Sequence, residues 1–256
     1  MAEIIAVANQ KGGVGKTTTA VNLAASLAAA EKKTLLIDMD PQGNACSGVG
    51  VDTDSLEYTV YDALHDSSLV VKCLVETELP CLTVLPSNTD LIGAELELVN
   101  ATEREYRLKQ AISTIQADYD YIVIDCPPSL GLITINSLVL AHSVLVPLQC
   151  EYYAMEGLSQ LMKTIDLVQR SINSKLVLRG IVLTMFDKRN NLSHQVSEEV
   201  RSHFGLKVFK SVIPRNVRLS EAPSHGKPVL LYDINSRGAQ AYMELAGEVL
   251  IGGSHG

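Results

Sequence analysis

Short apolar runs alternate with longer amphipathic stretches along almost the whole chain. The apolar runs are rich in β-branched residues and lack a regular polar alternation, which is typical of strands covered on both faces. They cover Ile4–Ala8, Thr34–Asp38, Leu82–Leu85, Tyr121–Asp125, Ser143–Pro147 and Leu178–Met185, with a weaker run at Lys207–Val212. Helical periodicity is clearest over Thr17–Ala30, Glu103–Gln116, Met155–Arg170, Leu192–His203 and Gly238–Leu250. We therefore expect residues 1–256 to form one α/β domain, with a doubly wound, mostly parallel sheet and helices on both faces.

Two segments depart from this alternation. Residues Val49–Glu78 are polar with only short helical pieces, so we expect a peripheral excursion over one edge of the sheet. The tail Gly252–Gly256 is expected to fray. In doubly wound folds ligands bind at the carboxyl ends of the strands, so the loops that follow the strands are the first place to look for chemistry.

The loop after the first strand, residues 9–19, reads Asn-Gln-Lys-Gly-Gly-Val-Gly-Lys-Thr-Thr-Thr. It stands between a buried strand and a helix, which is the setting of a phosphate-binding loop. Its glycines let backbone N–H groups wrap around an anion, and the following helix adds the positive end of its dipole. Lys16 supplies a charge for the β- and γ-phosphates, and Thr17 supplies a hydroxyl for Mg²⁺. Gln10 stands where the common motif has its first glycine, and Lys11 adds a second lysine.

Carboxylates follow two of the buried strands at the same edge of the expected sheet. Asp38 and Asp40 stand two residues apart where the second strand ends, and Asp125 ends the fourth strand before Cys-Pro-Pro. An aspartate after four apolar strand residues is the Walker B arrangement, which holds Mg²⁺ through a water molecule. One such carboxylate could be only a turn former, but three beside a phosphate loop indicate a metal–nucleotide site.

The composition excludes several classes of protein. No apolar run reaches about 18 residues, so we expect no transmembrane helix, and the chain enters a strand too early for a signal peptide. The five cysteines are scattered without a Cys-x-x-Cys pair, and the six histidines are dispersed. Free thiols in a reducing cytoplasm therefore fit better than a disulfide framework or a zinc site.

The net charge of −8 argues against a generic nucleic-acid binder, but the charge is unevenly distributed. Residues 188–237 carry nine Lys or Arg against four Asp or Glu, a local charge of +5, and the remainder carries −13. This asymmetry suits either a polyanion-binding face on an acidic body or a solvated basic surface. Charge alone leaves both interpretations open.

The full set of motifs resembles the ParA/Soj family of chromosome- and plasmid-partitioning ATPases. The resemblance extends over nearly the whole chain and rests on Lys11–Thr18, Asp38–Asn44, Ile124–Pro128, Gln149–Gly157 and Ile213–Pro228. The run Lys-Gly-Gly-Val-Gly-Lys-Thr is similar to the family's deviant Walker A motif. The resemblance implies a P-loop NTPase domain, ATP and Mg²⁺ as cofactors, and slow intrinsic ATP hydrolysis.

The resemblance also implies roles for individual site residues. Lys11 acts in trans, reaching the partner's nucleotide across a dimer interface, and Asp40 orients the attacking water. Asp38 supports the metal and the switch region, and Asp125 is the Walker B carboxylate. The residues implied to enclose the phosphates are Gly12, Gly13, Val14, Gly15, Lys16, Thr17 and Thr18.

Base and DNA contacts are implied for the C-terminal third of the chain. The segment implied to lie along the adenine consists of Pro214, Arg215 and Asn216. Met185, with Phe186, either borders the base or packs in the core. Arg189 and Arg218, both inside the basic segment, are implied to contact DNA phosphates. Since no helix-turn-helix, zinc finger or basic zipper is recognisable, we expect non-specific, salt-sensitive binding of double-stranded DNA.

The leading hypothesis is an ATP-driven DNA-partitioning switch in the cytoplasm, associated with the nucleoid. ATP forms a homodimer that binds DNA, and a ParB-like centromere-binding protein triggers hydrolysis and release. A second hypothesis is a membrane-cycling relative resembling MinD, but the last helix carries Glu244 and Glu248 where that class has a lysine-rich amphipathic helix. A third is an iron–sulfur scaffold or nitrogenase-type reductase, for which Cys126 lacks a spaced partner cysteine.

Overall fold

One eight-stranded sheet organises the chain. The structure is a computed structural model and describes residues 2–252. The strands are β1 (Glu3–Val7), β2 (Thr34–Asp38), β3 (Val75–Glu76), β4 (Leu82–Leu85), β5 (Tyr121–Asp125), β6 (Ser143–Gln149), β7 (Val177–Phe186) and β8 (Val208–Pro214). They lie in the order β3-β4-β2-β5-β1-β6-β7-β8, and every pairing is parallel except that of β3 with β4. The predicted doubly wound, mostly parallel sheet is thereby confirmed.

Helices cover both faces of the sheet. They are α1 (Lys16–Ala29), α2 (Asn44–Ser47), α3 (Val60–His65), α4 (Leu91–Glu97), α5 (Arg107–Ser113), α6 (Leu132–Leu140), α7 (Ala154–Ser171), α8 (Asn191–Phe204), α9 (Val217–Glu221), α10 (Val229–Tyr232) and α11 (Arg237–Gly252). Both faces of β1 are buried, which explains why its run is apolar throughout. Ile4 and Ala6 join the core beneath α3 to α8, whereas Ile5 and Val7 join the core beneath α1, α10 and α11. Successive side chains of a strand point to opposite faces, so both sets must be apolar.

The helix predicted over Glu103–Gln116 is wrong at both ends. Only Arg107–Ser113 is α-helical, and single 3₁₀ turns occupy Arg104–Tyr106 and Gln116–Asp118. Glu103 has a φ of 53°, a left-handed conformation that a right-handed helix cannot continue through. The apolar periodicity is present, but the backbone turns at its first residue.

The sequence pattern also missed α6. Most of its side chains are buried, so it lacks the polar face from which an amphipathic helix is recognised. The excursion over Val49–Glu78 has the predicted short helical pieces and leads to β3 at the edge of the sheet. It is not merely peripheral, because its buried side chains join the core on one face of the sheet, namely Val60, Ala63, Leu64, Val70 and Cys73. Of the tail expected to fray, Gly252 ends α11 and residues 253–256 lie outside the described residues. None of the helices within residues 2–252 combines the length and apolar character needed to cross a membrane.

Candidate functional site

The glycine-rich loop joins β1 to α1 at the carboxyl edge of the sheet, as the sequence predicts. Gly13 and Gly15 have φ values of 73° and 86°, in the left-handed region that favours glycine. A Cβ atom built on Gly12 or Gly13 would meet nothing within 4 Å, so the space beside both residues is open. No side chain of the described residues caps the start of α1, which leaves its first N–H groups available to an anion.

Three hydrogen bonds from outside the motif hold this loop in shape. Asn9 donates from Nδ2 to the Pro147 carbonyl at 2.7 Å, and its Oδ1 accepts from the Lys11 N–H at 3.0 Å. Thr184 Oγ1 donates to the Val14 carbonyl at 2.8 Å. The sequence motif begins at Lys11, so it signals neither Asn9 nor Thr184. In the sequence, Thr184 is distinguished only as a polar residue inside the apolar run of β7.

Lys16 lies inside the loop and is 7% exposed. Its ammonium donates to the Lys11 carbonyl at 3.1 Å. Burial lowers the pKa of Lys16, and the nearby Asp125 carboxylate opposes that change. A fixed, partly desolvated cation at the centre of an anion-binding loop is suited to phosphate.

Asp125 is fully buried, and neither carboxylate oxygen has a hydrogen-bond partner among the described residues. Burial raises its pKa well above the ordinary value, the neighbouring Asp38 raises it further, and Thr17 and Lys16 offset part of the change. Leaving a buried acceptor unpaired costs about 1–3 kcal/mol, and more when it is charged. A hydrated divalent cation between Thr17 and Asp125 would satisfy these oxygens, so the residues present fit Mg²⁺.

Asp38 is equally buried, but both of its carboxylate oxygens accept hydrogen bonds. Oδ1 accepts from the Asp40 N–H at 3.0 Å, and Oδ2 accepts from the N–H groups of Ala45 and Cys46 at 3.0 and 3.1 Å. The Cys46 thiol donates to Oδ2 as well. Asp38 therefore anchors the loop after β2 and the start of α2. This geometry favours the supporting role over direct metal ligation, and the metal role stays a prediction.

Asp40 lies in the loop that Asp38 anchors. Its carboxylate accepts from the Gln42 N–H at 3.0 Å, and its carbonyl accepts from the hydroxyl of the buried Ser87 at 2.5 Å. Ser87 follows β4, the strand next to β2. It holds the backbone of Asp40 in place, and the sequence alone did not identify it because the two residues are 47 positions apart.

The second lysine, Lys11, has its ion-pair partner outside the phosphate loop. Its ammonium forms an ion pair with Glu151, and both side chains are partly exposed. Glu151 follows β6, and the exposed rings of Tyr152 and Tyr153 stand beside it in an edge-to-face pair. Within one chain, Lys11 thus pairs with a surface carboxylate. That it reaches the nucleotide of a partner chain remains a prediction.

A cavity of about 300 Å³ adjoins the phosphate loop. Its lining brings together Gly15 and Thr18 with the four residues predicted to contact the base, namely Met185, Pro214, Arg215 and Asn216. Met185 has a φ of 48°, a strained conformation for a non-glycine residue, and such strain often marks functional sites. Leu219, Ser220 and Pro223 also line the cavity, and the sequence motifs did not single them out. Phe186 instead lines a larger groove nearby.

The two arginines predicted to contact DNA lie at the surface, and both are ion-paired. Arg189 is held by Asp187 through two hydrogen bonds, of 3.1 and 3.2 Å. Arg218 contacts Glu221 at 2.8 Å and Asp233 at 3.2 Å. The basic segment is thus accessible, but these two charges are partly neutralised in the isolated chain.

A phosphate loop at the carboxyl edge of a parallel sheet, with a buried lysine and an unpaired Walker B aspartate, defines a P-loop ATPase with a deviant Walker A motif. A sequence model of the AAA domain family matches residues 2–178. The chain is 59% identical to "Chromosome partitioning protein ParA" of Myxococcus xanthus over 96% of its own length and 87% of that protein's. It is 56% identical to "Sporulation initiation inhibitor protein Soj" of Bacillus subtilis over 99% and 100% of the two chains. The chain belongs to the ParA/Soj family of chromosome-partitioning ATPases.

A solved structure with the same fold is described as cobyrinic acid a,c-diamide synthase from Mycobacterium smegmatis with bound ADP and magnesium. It is 39% identical, with a TM-score of 0.87, and the similarity covers 100% of this chain and 96% of that one. The P-loop fold expected from the sequence is therefore confirmed.

Proposed function

We propose that this protein is an ATP-dependent DNA-segregation switch. ATP with Mg²⁺ binds at the glycine-rich loop and drives formation of a sandwich dimer, which binds DNA without sequence preference. A ParB-like centromere-binding partner stimulates hydrolysis, and the ADP state releases DNA. The protein works in the cytoplasm, on the nucleoid.

The observation that carries the proposal is the pair of lysines on one phosphate loop. Lys16 alone occupies the interior of the loop, and Lys11 is engaged by Glu151 at the surface. A monomer has no use for the second lysine at its own phosphates. A dimer that faces two triphosphates towards each other needs additional positive charge, which Lys11 of each chain can supply to the other.

Different residues of the nucleotide site bind the phosphates, the base and the metal ion. Gly12–Thr18 donate backbone N–H groups to the phosphates, and the cavity beside Met185 and Asn216 receives the base. Thr17 and Asp125 hold Mg²⁺, which neutralises charge on the β- and γ-phosphates when bound. This assignment is supported by the unpaired Asp125 oxygens and by the ADP and magnesium in the structural relative.

Hydrolysis depends on positioning more than on covalent chemistry. Asp40 orients the attacking water, and Asp38 and Ser87 keep its loop in place. The site contains no strong general base among the described residues, so intrinsic turnover is slow and the ATP state acts as a timer. Stimulation by a partner protein then sets when the dimer dissociates.

DNA binding follows from dimerisation. Arg189 and Arg218 each make a modest, salt-screened contact with phosphate. Two chains double the contacts and make the second set intramolecular, which raises avidity by about 10²–10⁴. DNA affinity should therefore depend on ATP even though the chain is acidic overall.

The test is binding of the full-length protein to a duplex of arbitrary sequence with ATP, with ADP and without nucleotide. We expect tight binding with ATP alone, and loss of binding in Arg189→Glu with Arg218→Glu while the ATP dimer persists in sedimentation. Arg170→Glu with Lys175→Glu reverses two exposed cations on and just after α7, changes the net charge by the same amount, and as the matched control should bind like the wild type. Equal binding with ADP and ATP, or full binding by the double variant, would contradict the proposal.

A further inference from the structure

The lining of the base cavity comes from distant parts of the chain. Gly15 and Thr18 belong to the phosphate loop and to α1, whereas the largest contribution comes from a later segment, through Pro214, Arg215, Asn216, Leu219, Ser220 and Pro223. We call residues 214–228 the base segment. It leaves the sheet at the end of β8 and ends where α10 begins, at Val229. The width of the cavity therefore depends on how this segment is held against α1.

Asn22 of α1 holds the far end of the base segment. It is buried, with 5% of its surface exposed. Its Nδ2 donates to the Thr18 carbonyl at 2.8 Å, and its Oδ1 accepts from the Val229 N–H at 2.8 Å. Because a carbonyl can only accept and a backbone N–H can only donate, these partners fix the orientation of the amide. One buried side chain thus connects the first turn of α1 to the end of the base segment.

The Val229 N–H requires a partner from outside its own helix. It is the first N–H of α10, and the first N–H groups of a helix have no acceptor within the helix. The preceding Pro228 has no side-chain acceptor to cap it. Val229 is buried, and a buried N–H without a partner is destabilising. Asparagine suits this position because aspartate would lack the donor to Thr18 and leucine would lack both polar groups.

A backbone contact holds the same end of the base segment. Gly226 and Gly50 have φ values of 63° and 81°, in the left-handed region. A Cβ atom on Gly50 would lie 2.8 Å from the Gly226 carbonyl oxygen, and one on Gly226 would lie 3.0 Å from the Gly50 Cα. Ala222 and Val229 share a core with Val21 of α1, but apolar packing is non-directional. The Asn22 hydrogen bond and the glycine contact therefore set the position of the segment.

We propose that Asn22 is a positioning residue for the nucleotide base, which holds the base segment at the distance from the phosphate loop that adenine requires. The proposal rests on the proposed function, which seats the base in this cavity, and adds the residue that sets its width. Asn22 does not line the cavity, so it acts through Thr18 and Val229. The phosphate loop keeps its own hydrogen bonds from Asn9 and Thr184. Loss of Asn22 should therefore weaken binding of the base and spare binding of the phosphates.

The experiment compares calorimetric titrations with ADP and with inorganic pyrophosphate, both with Mg²⁺, which share two phosphates and differ in the nucleoside. ADP is chosen because ATP alone is proposed to drive dimerisation. Asn22→Ala should weaken ADP binding about three- to tenfold and change pyrophosphate affinity by less than about twofold. The KM for ATP should rise by a similar factor, whereas kcat should stay within about twofold because Asp40 and Asp125 are unchanged.

A second variant and two matched controls separate positioning from general destabilisation. Gly50→Ala leaves α1 unchanged, but its methyl group presses on the Gly226 carbonyl, so it should also weaken ADP selectively. Ser26→Ala removes a buried hydrogen bond of 2.7 Å to the Asn22 carbonyl, one turn further along α1. Gly205→Ala places a methyl group at a φ of 53° with nothing within 4 Å. Both controls should keep the wild-type ratio of ADP affinity to pyrophosphate affinity.

Three results would overturn the proposal. Equal losses of ADP and pyrophosphate affinity in Asn22→Ala would show that the residue supports the phosphate loop through Thr18. Unchanged ADP affinity in Asn22→Ala, or an equal selective loss in Ser26→Ala, would show that the Val229 contact does not position the base. If Asn22→Ala does not fold, an unchanged affinity ratio in Gly50→Ala decides against the proposal and a selective loss of ADP supports it. If the wild type itself binds pyrophosphate as tightly as ADP, the base assignment in the proposed function fails instead.

Discussion

Replacing Asp125 with asparagine should stabilise the nucleotide-free protein while abolishing its response to Mg²⁺ and ATP. In the wild type, two buried carboxylate oxygens have no partner among the described residues, and Asp38 stands in register beside them. Asparagine keeps the shape and removes the charge, although its amide also lacks partners. What it relieves is the cost of an ionised carboxylate buried beside Asp38, on the order of 1–3 kcal/mol. For a chain of this size, that relief raises the melting temperature by about 2–12 °C.

The difference in unfolding free energy between Asp125→Asn and the wild type should change with pH in a definite direction. Burial raises the folded-state pKa of Asp125 well above the unfolded value of about 3.9. Between those two pKa values the folded wild type retains a proton that the unfolded chain has released, so its unfolding free energy falls as pH rises. Asp125→Asn lacks this group. Its advantage should be absent below about pH 4 and should grow as pH rises through the folded-state pKa.

Thermal unfolding followed by circular dichroism across pH tests this reasoning, with and without Mg²⁺ and ATP. With ligand at about 1,000 times its dissociation constant, the wild type gains about 4.1 kcal/mol that the variant lacks, which exceeds the variant's advantage, so the order of stability should reverse. Asp38→Asn is the matched control, because its oxygens accept three backbone N–H groups and it should lose about 2–4 kcal/mol. A nucleotide-free Asp125→Asn protein no more stable than wild type, or an advantage independent of pH, would refute the argument.

Three further substitutions test the phosphate site. Lys16→Ala should lose nucleotide binding, because removing a charge-assisted contact costs about 1.5–3 kcal/mol or more; calorimetric titration with near wild-type affinity would count against it. Asp40→Ala should bind ATP but not hydrolyse it, so sedimentation should show a persistent dimer, and normal turnover would disprove its role. Lys11→Ala should bind ATP without dimerising, whereas Glu151→Gln, which frees Lys11 from its ion pair, should still dimerise. ATP-dependent dimerisation of Lys11→Ala would rule out action in trans.

Local chemistry explains why the phosphate loop could be located from the sequence. Positive φ at Gly13 and Gly15 needs no distant partner, and the start of α1 follows directly, so a contiguous stretch carries the whole anion-binding arrangement. The parallel sheet could also be predicted, since continuous apolar runs make sense only when both faces are covered. The helix over Glu103–Gln116 could not be delimited, because left-handed Glu103 and the 3₁₀ turns on either side of Arg107–Ser113 carry no compositional signal.

Tertiary structure decided what each polar residue does. Asp38 and Asp125 both end apolar strands and are register partners, yet Asp38 accepts four hydrogen bonds and Asp125 accepts none from the described residues. The difference arises because the chain after β2 brings the N–H groups of Asp40, Ala45 and Cys46 to Asp38. The described residues that bury Asp125 donate no hydrogen bond to its carboxylate. Ser87 and Lys11 likewise acquire their partners from residues 47 and 140 positions away. Sequence order determines which groups end at the same edge of the sheet, but hydrogen-bond geometry depends on separations of tenths of an ångström, which only the folded backbone sets.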